Sequence, residues 1–509
     1  MTFTSNLPLV ILETRGQSIK LSSRTSIFLT VIRSTNGWSS LDGGIDYFGR
    51  ASVAIRGSSS ATANKKSYRV ELQNDDGTDR KEPLLGFPSN SDWILYASYF
   101  DRTFVRDALA YELWRDMGYY APRTRYVELF INTSADATAP SHYAGLYVLI
   151  EKIKRAKSRV NIARLRPSDT NEPAVTGGYL LKKDRFKQGD RGFQTPRGIA
   201  MYYAEPKGRE INARQELWLT NYINKMEDVL FSEQFRDPST GYVKYLDTDS
   251  FVDYHWIVEV SRNADALWVS QYFHLDRGGK LKAGPIWDWD LSFGNTQFEQ
   301  SFNTEGWRWT GIRGEHYLWY TRLFEDIEFL QRYVDRWSEL RRSVFATSNV
   351  LAKVDRLADE IRTAQARNYA RWPSLKKTMS GTNAHDEPVL LATHTAHVDW
   401  LKNWITARLS WIDSQDFQAP HIHITSEAGV VPLTVQLAGD GGKIYYTVDG
   451  SDPRASGGTL SANAMEATNS IIVSPGATVR ARIRGEFNLW SAPLTSTPQP
   501  ASGLLKASH

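Results

Sequence analysis

Cysteine is missing from all 509 residues, and with it go disulfide frameworks, Cys-ligated zinc, iron–sulfur ligation and thiol nucleophiles. A long chain without thiols is at ease in an oxidising space outside the cytosol. Net charge is also scarce. Lys and Arg number 61 against 57 Asp and Glu, a balance of +4, which is too little for the dense basic face of a general nucleic-acid binder. No nucleic-acid partner is expected. Long apolar runs are absent too: nothing approaches the ~18–20 residues a membrane helix needs. The stretch from Met1 to Leu12 has no basic n-region and only a short apolar run before Glu13, so no membrane span is expected, and an exported form would need a leader not present here.

What is plentiful is aromatic and apolar side chain. With 17 Trp, 24 Tyr and 21 Phe in a 41% hydrophobic composition, the chain is neither disordered nor fibrous. At roughly 100–200 residues per domain, its length predicts about three folded units with real cores.

Apolar and polar side chains alternate in Ala51, Val53 and Ile55, and again in Tyr68, Val70 and Leu72, the period of half-buried strands. Between them runs a small-residue loop, 57–64, flanked by Arg56 and by Lys65-Lys66; such a loop can turn backbone N–H groups toward an anion. Val105, Leu109, Leu113 and Met117 recur every four residues before Gly118, predicting a helix. Residues 126–131 and 143–150 read as a hairpin, and 177–181 as a further strand after a glycine turn. From Asp247 the period becomes helical with apolar residues all round, and helices continue from about 318 to 415, the last with a stripe of Trp400, Trp404, Ala407 and Trp411. After Asp416 the composition shifts to Thr, Val, Gly, Ser and Pro in short alternating runs, which places a boundary near 418 and predicts a small β-sandwich over 418–497. Residues 498–509 read as a flexible tail.

One stretch can carry chemistry: Arg262-Asn263-Ala264-Asp265, a hairpin turning at Arg277-Gly278-Gly279-Lys280, then Trp287-Asp288-Trp289-Asp290. A hairpin returns the chain by about the distance it went out, so Asp265 and Asp288 are expected at the same end. The residues alone admit two readings. In one, the two carboxylates divide the labour, one holding Mg²⁺ and the other orienting a hydroxyl nucleophile; in the other, Asp288 and Asp290 cap a turn and pair with arginines. His394 with His397, and His421 with His423, each offer two imidazoles but no third ligand nearby, so they read as packed or solvated side chains.

Several segments occur together and in order: Arg56-Gly57-Ser58-Ser59, Lys65 to Leu72, Asp92-Trp93-Ile94-Leu95, Asp101 to Tyr111, Tyr126 to Phe130, Gly145 to Glu151, Gly177-Gly178-Tyr179-Leu180 and the unit from Asp265 to Gly294. In these the chain resembles the CotH kinase family, the atypical kinases typified by spore coat protein H. The resemblance covers roughly residues 5–415. It implies an α+β fold with a reduced protein-kinase-like core, a β-rich N-terminal lobe (1–180) and a mainly helical C-terminal lobe (181–415). It also implies an ATP-dependent protein Ser/Thr kinase, Mg²⁺- or Mn²⁺-dependent, with a protein hydroxyl as acceptor. By that resemblance Asp265 is the catalytic-loop acid, Asp288 with Asp290 the metal-binding unit, and Tyr179 an aromatic wall for adenine. Lys66, Glu151 and Arg56 become nucleotide-side groups, with an ion-pair role in the fold as the other reading of Arg56 and Arg106.

The run Ile444 to Arg454, with Val479-Arg480-Ala481-Arg482 and Trp490-Ser491, resembles the small C-terminal module of chitobiases and β-hexosaminidases. That implies an accessory unit in carbohydrate or cell-surface contact, and an extracytoplasmic or surface location. Two alternatives to the kinase stand beside it: a non-catalytic surface scaffold on a degenerate kinase-like fold, and another nucleotide-dependent transferase, adenylyl or glycosyl, using Asp288-Trp289-Asp290.

Overall fold

The computed structural model describes residues 3–499 except 22, 313, 374–390, 392, 416–418, 426–431 and 469. The boundary expected near 418 and all but the first two residues of the expected tail lie outside the described residues. The chain is mixed α+β, 29% helical and 27% strand, as the sequence implies.

Seven strands close a barrel in the order Leu9–Glu13, Thr25–Ile32, Ile45–Arg56, Ser67–Leu72, Asp92–Tyr96, Tyr143–Glu151 and Thr124–Asn132. The first and last pair in parallel and every other neighbour is antiparallel. The period of two decides what each strand serves. In Asp92–Tyr96, Trp93 and Leu95 fill the barrel, whereas Ile94 and Tyr96 face outward into the much larger core of the helical body. Such a strand is apolar throughout because both its faces are covered.

Helix α1 (Arg106–Asp116) lies on that outer face, with Leu109 and Leu113 packed beside Ile94 and Val148. A second sheet of five antiparallel strands follows, in the order Gly192–Gln194, Ala200–Glu205, Tyr179–Lys183, Gln271–Leu275 and Lys282–Ala283. Helix α2 (Ala213–Leu230) starts on a capping box between Asn212 and Gln215, which satisfies backbone donors at its first turn. Helix α3 (Thr248–Ser261), capped by Asp247, buries its last twelve residues and forms the axis of the body. Around it pack α4 (Leu318–Leu323), α5 (Ile327–Arg341), α6 (Thr347–Glu360), α7 (Arg362–Arg371) and α8 (His394–Asp413). The Trp stripe of α8 belongs to this core: Trp404 is buried, and Trp400 and Trp411 pack against it.

Beyond residue 420, a three-stranded and a four-stranded antiparallel sheet share one apolar cluster that includes Val435, Ile444, Val473 and Ile483. They dock on α5. Arg482, almost fully buried, reaches Asp335 at 2.6 Å and Asp452 at 2.7 Å, while Arg454 grips Glu328 with two hydrogen bonds of 2.9 and 3.0 Å.

Candidate active site

Helix α3 stops where Arg262 turns left-handed, at φ 45° and ψ 43°. The carboxamide oxygen of Asn263 then accepts the N–H groups of Asp265 (2.9 Å) and Ala266 (3.0 Å), and its amide donates to the Asp288 carbonyl at 3.2 Å. Ala264 N–H donates to Leu291 O at 3.0 Å, and Phe293 N–H to Ser261 O at 2.6 Å. The two acidic loops are thus sewn together. Between them the strands Gln271–Leu275 and Lys282–Ala283 pair antiparallel, so the chain goes out and returns as the spacing predicts. Asp265 and Asp288 both end half-buried, and the Asp288 charge acts on Asp265 across the acidic crevice that their loops enclose.

The floor of the crevice comes from α1. Asp107, in its first turn, accepts the Trp289 N–H at 2.6 Å. Tyr111, one turn on, donates to Asp107 and accepts the Asp288 N–H at 3.2 Å. Arg106 pairs with Asp101 at 2.6 Å, both buried, and its Nε holds the Ser292 carbonyl at 3.0 Å. The fold-holding reading of Arg106 is therefore what the contacts support. Tyr96, projecting outward from the barrel, donates to Asp290 at 2.6 Å, and Asn295 donates to the Asp290 carbonyl at 2.7 Å.

Four buried or half-buried carboxylates now lie within electrostatic reach of one another. Burial, then the Asp288 charge, raises Asp107; burial, then Asp288 and Asp107, raises Asp290 as well. Asp265 is pushed up to about 6, first by burial and then by Asp288, with Arg185 and Arg308 pulling back. Asp288 is raised by burial and Asp184, with Arg56 and Lys187 opposing. Mutual elevation of this kind marks a place where positive charge is wanted. Backbone strain concentrates here as well. Of the thirteen described non-glycine residues at positive φ, seven fall between Arg262 and Gln300, with Asp288 at φ 67°, a conformation that persists only where surrounding contacts enforce it.

The rim is cationic and aromatic. Arg56, at the end of its long strand, lies 5.3 Å over the ring of Trp287, which in turn stacks on Tyr111. Trp287 and Tyr272 are half-buried and pack on the same small apolar cluster. Ser270 donates weakly to Asp288 at 3.5 Å. Beyond Arg56 the loop needs its glycine: Gly57 sits at φ 120°, and a Cβ there would lie 2.1 Å from the Ser60 hydroxyl.

Of the residues expected on the nucleotide side, Glu151 and Tyr179 are fully buried. Lys66 spends its ammonium on the Ala61 carbonyl at 2.8 Å, stapling the loop, and neighbouring Lys65 is buried against Ala97 and Leu146 carbonyls. Glu151 is fully buried with Arg123 at 2.6 Å and Arg159 at 3.5 Å. It pairs with Trp93, three residues from Tyr96, hence about 10 Å along the strand from the acidic floor. Tyr179 is a core residue whose hydroxyl is held by Val175 O at 2.9 Å and Gln215 O at 3.2 Å. It opposes Leu275, whereas the crevice lies at the Lys183–Gln271 end of the same strand pair. The sequence reading missed Asp107, Tyr96, Tyr111, Tyr272 and Trp287. Asp107 and Tyr111 carried a signal: an acid and a phenol at i, i+4 on a helix opened by Asp101 and Arg106.

The donors of the crevice are carboxylate oxygens, which suit a hard cation. Among the described residues no group of three or more His, Asp or Glu side chains is placed to hold a metal ion. Mg²⁺ does not require such a group, since it is ordinarily held by one or two carboxylates with the rest of its shell from phosphates and water.

The protein is mixed α+β, with a closed barrel and a helical body whose side chains Tyr96 and Asp107 both reach the acidic turn at Asp288–Asp290. The family described as CotH kinase protein matches residues 53–412, which is more than half of the chain and takes in Arg56, Asp107, Asp265, Asp288 and Asp290. The chain belongs to that family. No curated protein matches it, and no described helix is long and apolar enough to cross a membrane.

Proposed function

We propose that the crevice is the active site of an ATP-dependent protein kinase, passing the γ-phosphoryl group to a Ser or Thr hydroxyl, with the barrel and the helical body acting as its two lobes. The observation that carries this is the pair Asp265 and Asp288, half-exposed on two loops sewn together and backed by the buried acids Asp107 and Asp290.

Asp288, with Asp290 behind it, is the group for a divalent ion; when bound, Mg²⁺ or Mn²⁺ would supply the charge that lets a triphosphate approach carboxylates. Arg56 and Lys187, the cations opposing the Asp288 charge, meet the phosphates from the other side. Trp287 and Tyr272 replace Tyr179 as the rings available to the base, a stacking worth ~1–3 kcal/mol. Asp265 faces the acceptor. Its carboxylate orients the hydroxyl and takes its proton as the hydroxyl oxygen bonds to the γ-phosphorus and the bond to the β–γ bridging oxygen breaks, releasing ADP. A group ionising near 6 is mostly deprotonated at neutral pH yet still basic enough to accept a proton.

The two C-terminal sheets, through their likeness to a chitobiase-type module, fit a protein working at a surface outside the cytosol in contact with carbohydrate. The decisive experiment is incubation with γ- and α-labelled ATP plus Mg²⁺ or Mn²⁺. Transfer of the γ label to protein hydroxyls is expected. Transfer of the α label would reassign the reaction to adenylylation, and no transfer with any acceptor would leave a scaffold.

A further inference from the structure

Behind Asp265 lies a cavity of about 760 Å³ whose lining includes Arg262, Trp268, Glu299, Trp307, Arg308 and His316. It shares a wall with the catalytic loop. Arg308 donates through Nε to Asn263 O at 3.1 Å and through Nη2 to Ala264 O at 2.7 Å, the two carbonyls preceding Asp265, while Trp268 N–H donates to the Asp265 carbonyl at 3.2 Å. Glu259 on α3 fixes the far side, accepting the N–H groups of Arg308 (2.8 Å) and Trp309 (2.9 Å) and pairing with Arg408.

The wall has donors left over. Arg308, 3% exposed, has no hydrogen-bond partner for Nη1, and Arg262, 4% exposed, has none for Nε. Buried donors without acceptors are costly and rare. The nearest anion to Arg308 Nη1 is the Glu299 carboxylate at 3.7 Å, too far for a hydrogen bond. Glu299 sits on the rim at φ 54°, next to Gln300 at φ 53°, in a conformation that non-glycine residues adopt only under constraint. Arg185 lies 5.3 Å over the ring of Trp268, one of the lining residues. The cavity is thus cationic, aromatic-walled and closed over its free donors by one loosely paired internal carboxylate.

We propose that this cavity is the acceptor subsite and that it takes an acidic side chain flanking the target hydroxyl, whose carboxylate displaces that of Glu299 from Arg308. The inference rests on reading Asp265 as the acceptor-side residue. A peptide Asp or Glu would supply the oxygen that Arg308 Nη1 lacks, and the flanking rings would cover its stem. Glu299 then acts as a placeholder that competes with acceptors.

The test uses the full chain and two readouts. Fluorescence anisotropy without ATP measures binding of labelled Ser peptides carrying Glu, Ala or Lys beside the serine. Transfer of γ-labelled phosphate then gives KM and kcat for the same peptides. Glu peptides should bind about tenfold tighter than Lys peptides, the scale of one charge-assisted hydrogen bond. Glu299→Gln should tighten the Glu peptide several-fold and lower its KM, with a smaller effect on the Ala peptide. Arg308→Lys should lose the preference, and because Arg308 also holds the loop, Glu299→Gln is the variant that decides. Binding that follows charge without any transfer would keep the subsite while removing the kinase. Transfer with no charge preference and no effect of Glu299→Gln would overturn the subsite and keep the kinase.

Discussion

Asp107, in the first turn of α1, accepts the backbone N–H of Trp289 at 2.6 Å, so a helix that packs on the barrel directly holds the turn carrying Asp288 and Asp290. Through that bond the two halves of the molecule meet at the acidic crevice. Tyr96 repeats the connection from the barrel wall itself, donating to Asp290 at 2.6 Å. The acids are close to one another because both halves bring them there, and their repulsion is the property from which most of the following expectations derive.

Asp288→Asn should abolish metal-dependent ATP binding while leaving the protein folded. The neutral amide is a poorer ligand for a hard cation, and it also removes a charge that raises Asp107, Asp265 and Asp290. Calorimetry should show ATP affinity reduced at least about tenfold in the presence of Mg²⁺, with an unchanged or higher Tm at pH 8 in its absence. Equal ATP affinity in the variant would remove Asp288 from the metal site.

Asp265→Asn should slow transfer by ~10²–10⁴ with little change in ATP affinity, because proton acceptance acts in the transition state. In the wild type kcat/KM should rise with pH through about 6 as Asp265 loses its proton, and that limb should vanish in the variant. A variant with full turnover and the same pH limb would make Asp265 structural.

Asp107→Asn isolates the electrostatic cost of the floor. A carboxyl whose folded pKa lies above its unfolded value near 3.9 binds its proton more tightly when folded, so its stabilising contribution is complete below that value and is lost as pH rises through the folded pKa. Asp107, Asp288 and Asp290 are all raised, and Asp265 to about 6. The amide can still accept the Trp289 N–H. The variant should therefore gain in Tm on the wild type as pH climbs from 5 to 8, and added Mg²⁺ should narrow the gap. A gap independent of pH would mean that Asp107 is ionised without penalty.

Trp287→Ala should weaken ATP binding by ~1–3 kcal/mol if the ring stacks on the base, whereas Tyr179→Phe, removing a hydroxyl bonded only to Val175 and Gln215 carbonyls, should leave affinity as it is. Titration of both variants with ATP and Mg²⁺ separates the rings, and the reverse pattern would return the adenine wall to Tyr179.

A chain ending at residue 415 should fold and bind ATP, because the Trp face of α8 is covered by the helical body rather than by the C-terminal sheets. Within the full chain, Arg482→Ala should cost the docked sheets ~1–3 kcal/mol, since it removes the buried guanidinium that bridges Asp335 and Asp452, while Arg480 still pairs with Asp452 at 2.8 Å and Gln331 still donates to Asp335. Size exclusion and melting curves check both, and an aggregating truncation would place the boundary inside one shared core.

What could be read from the sequence was whatever depends on near neighbours. The alternation in Ala51, Val53 and Ile55 and the four-residue stripe of α1 are imposed by backbone geometry within one element. Asp265 and Asp288 could be placed together because a single hairpin separates them. Closure of the barrel could not be read, since it depends on Leu9–Glu13 lying parallel to Thr124–Asn132, a pairing across more than a hundred residues to which no local period refers. The same limit applies to Glu151 and Tyr179, which are buried in the core. A period of two tells which face of a strand a side chain takes, but not which end of that strand lies at the crevice. Only the packed structure brought Asp107, Tyr96, Trp287 and Arg56 to one point, because their meeting is set by how the barrel, α1 and the second sheet cover one another's apolar faces.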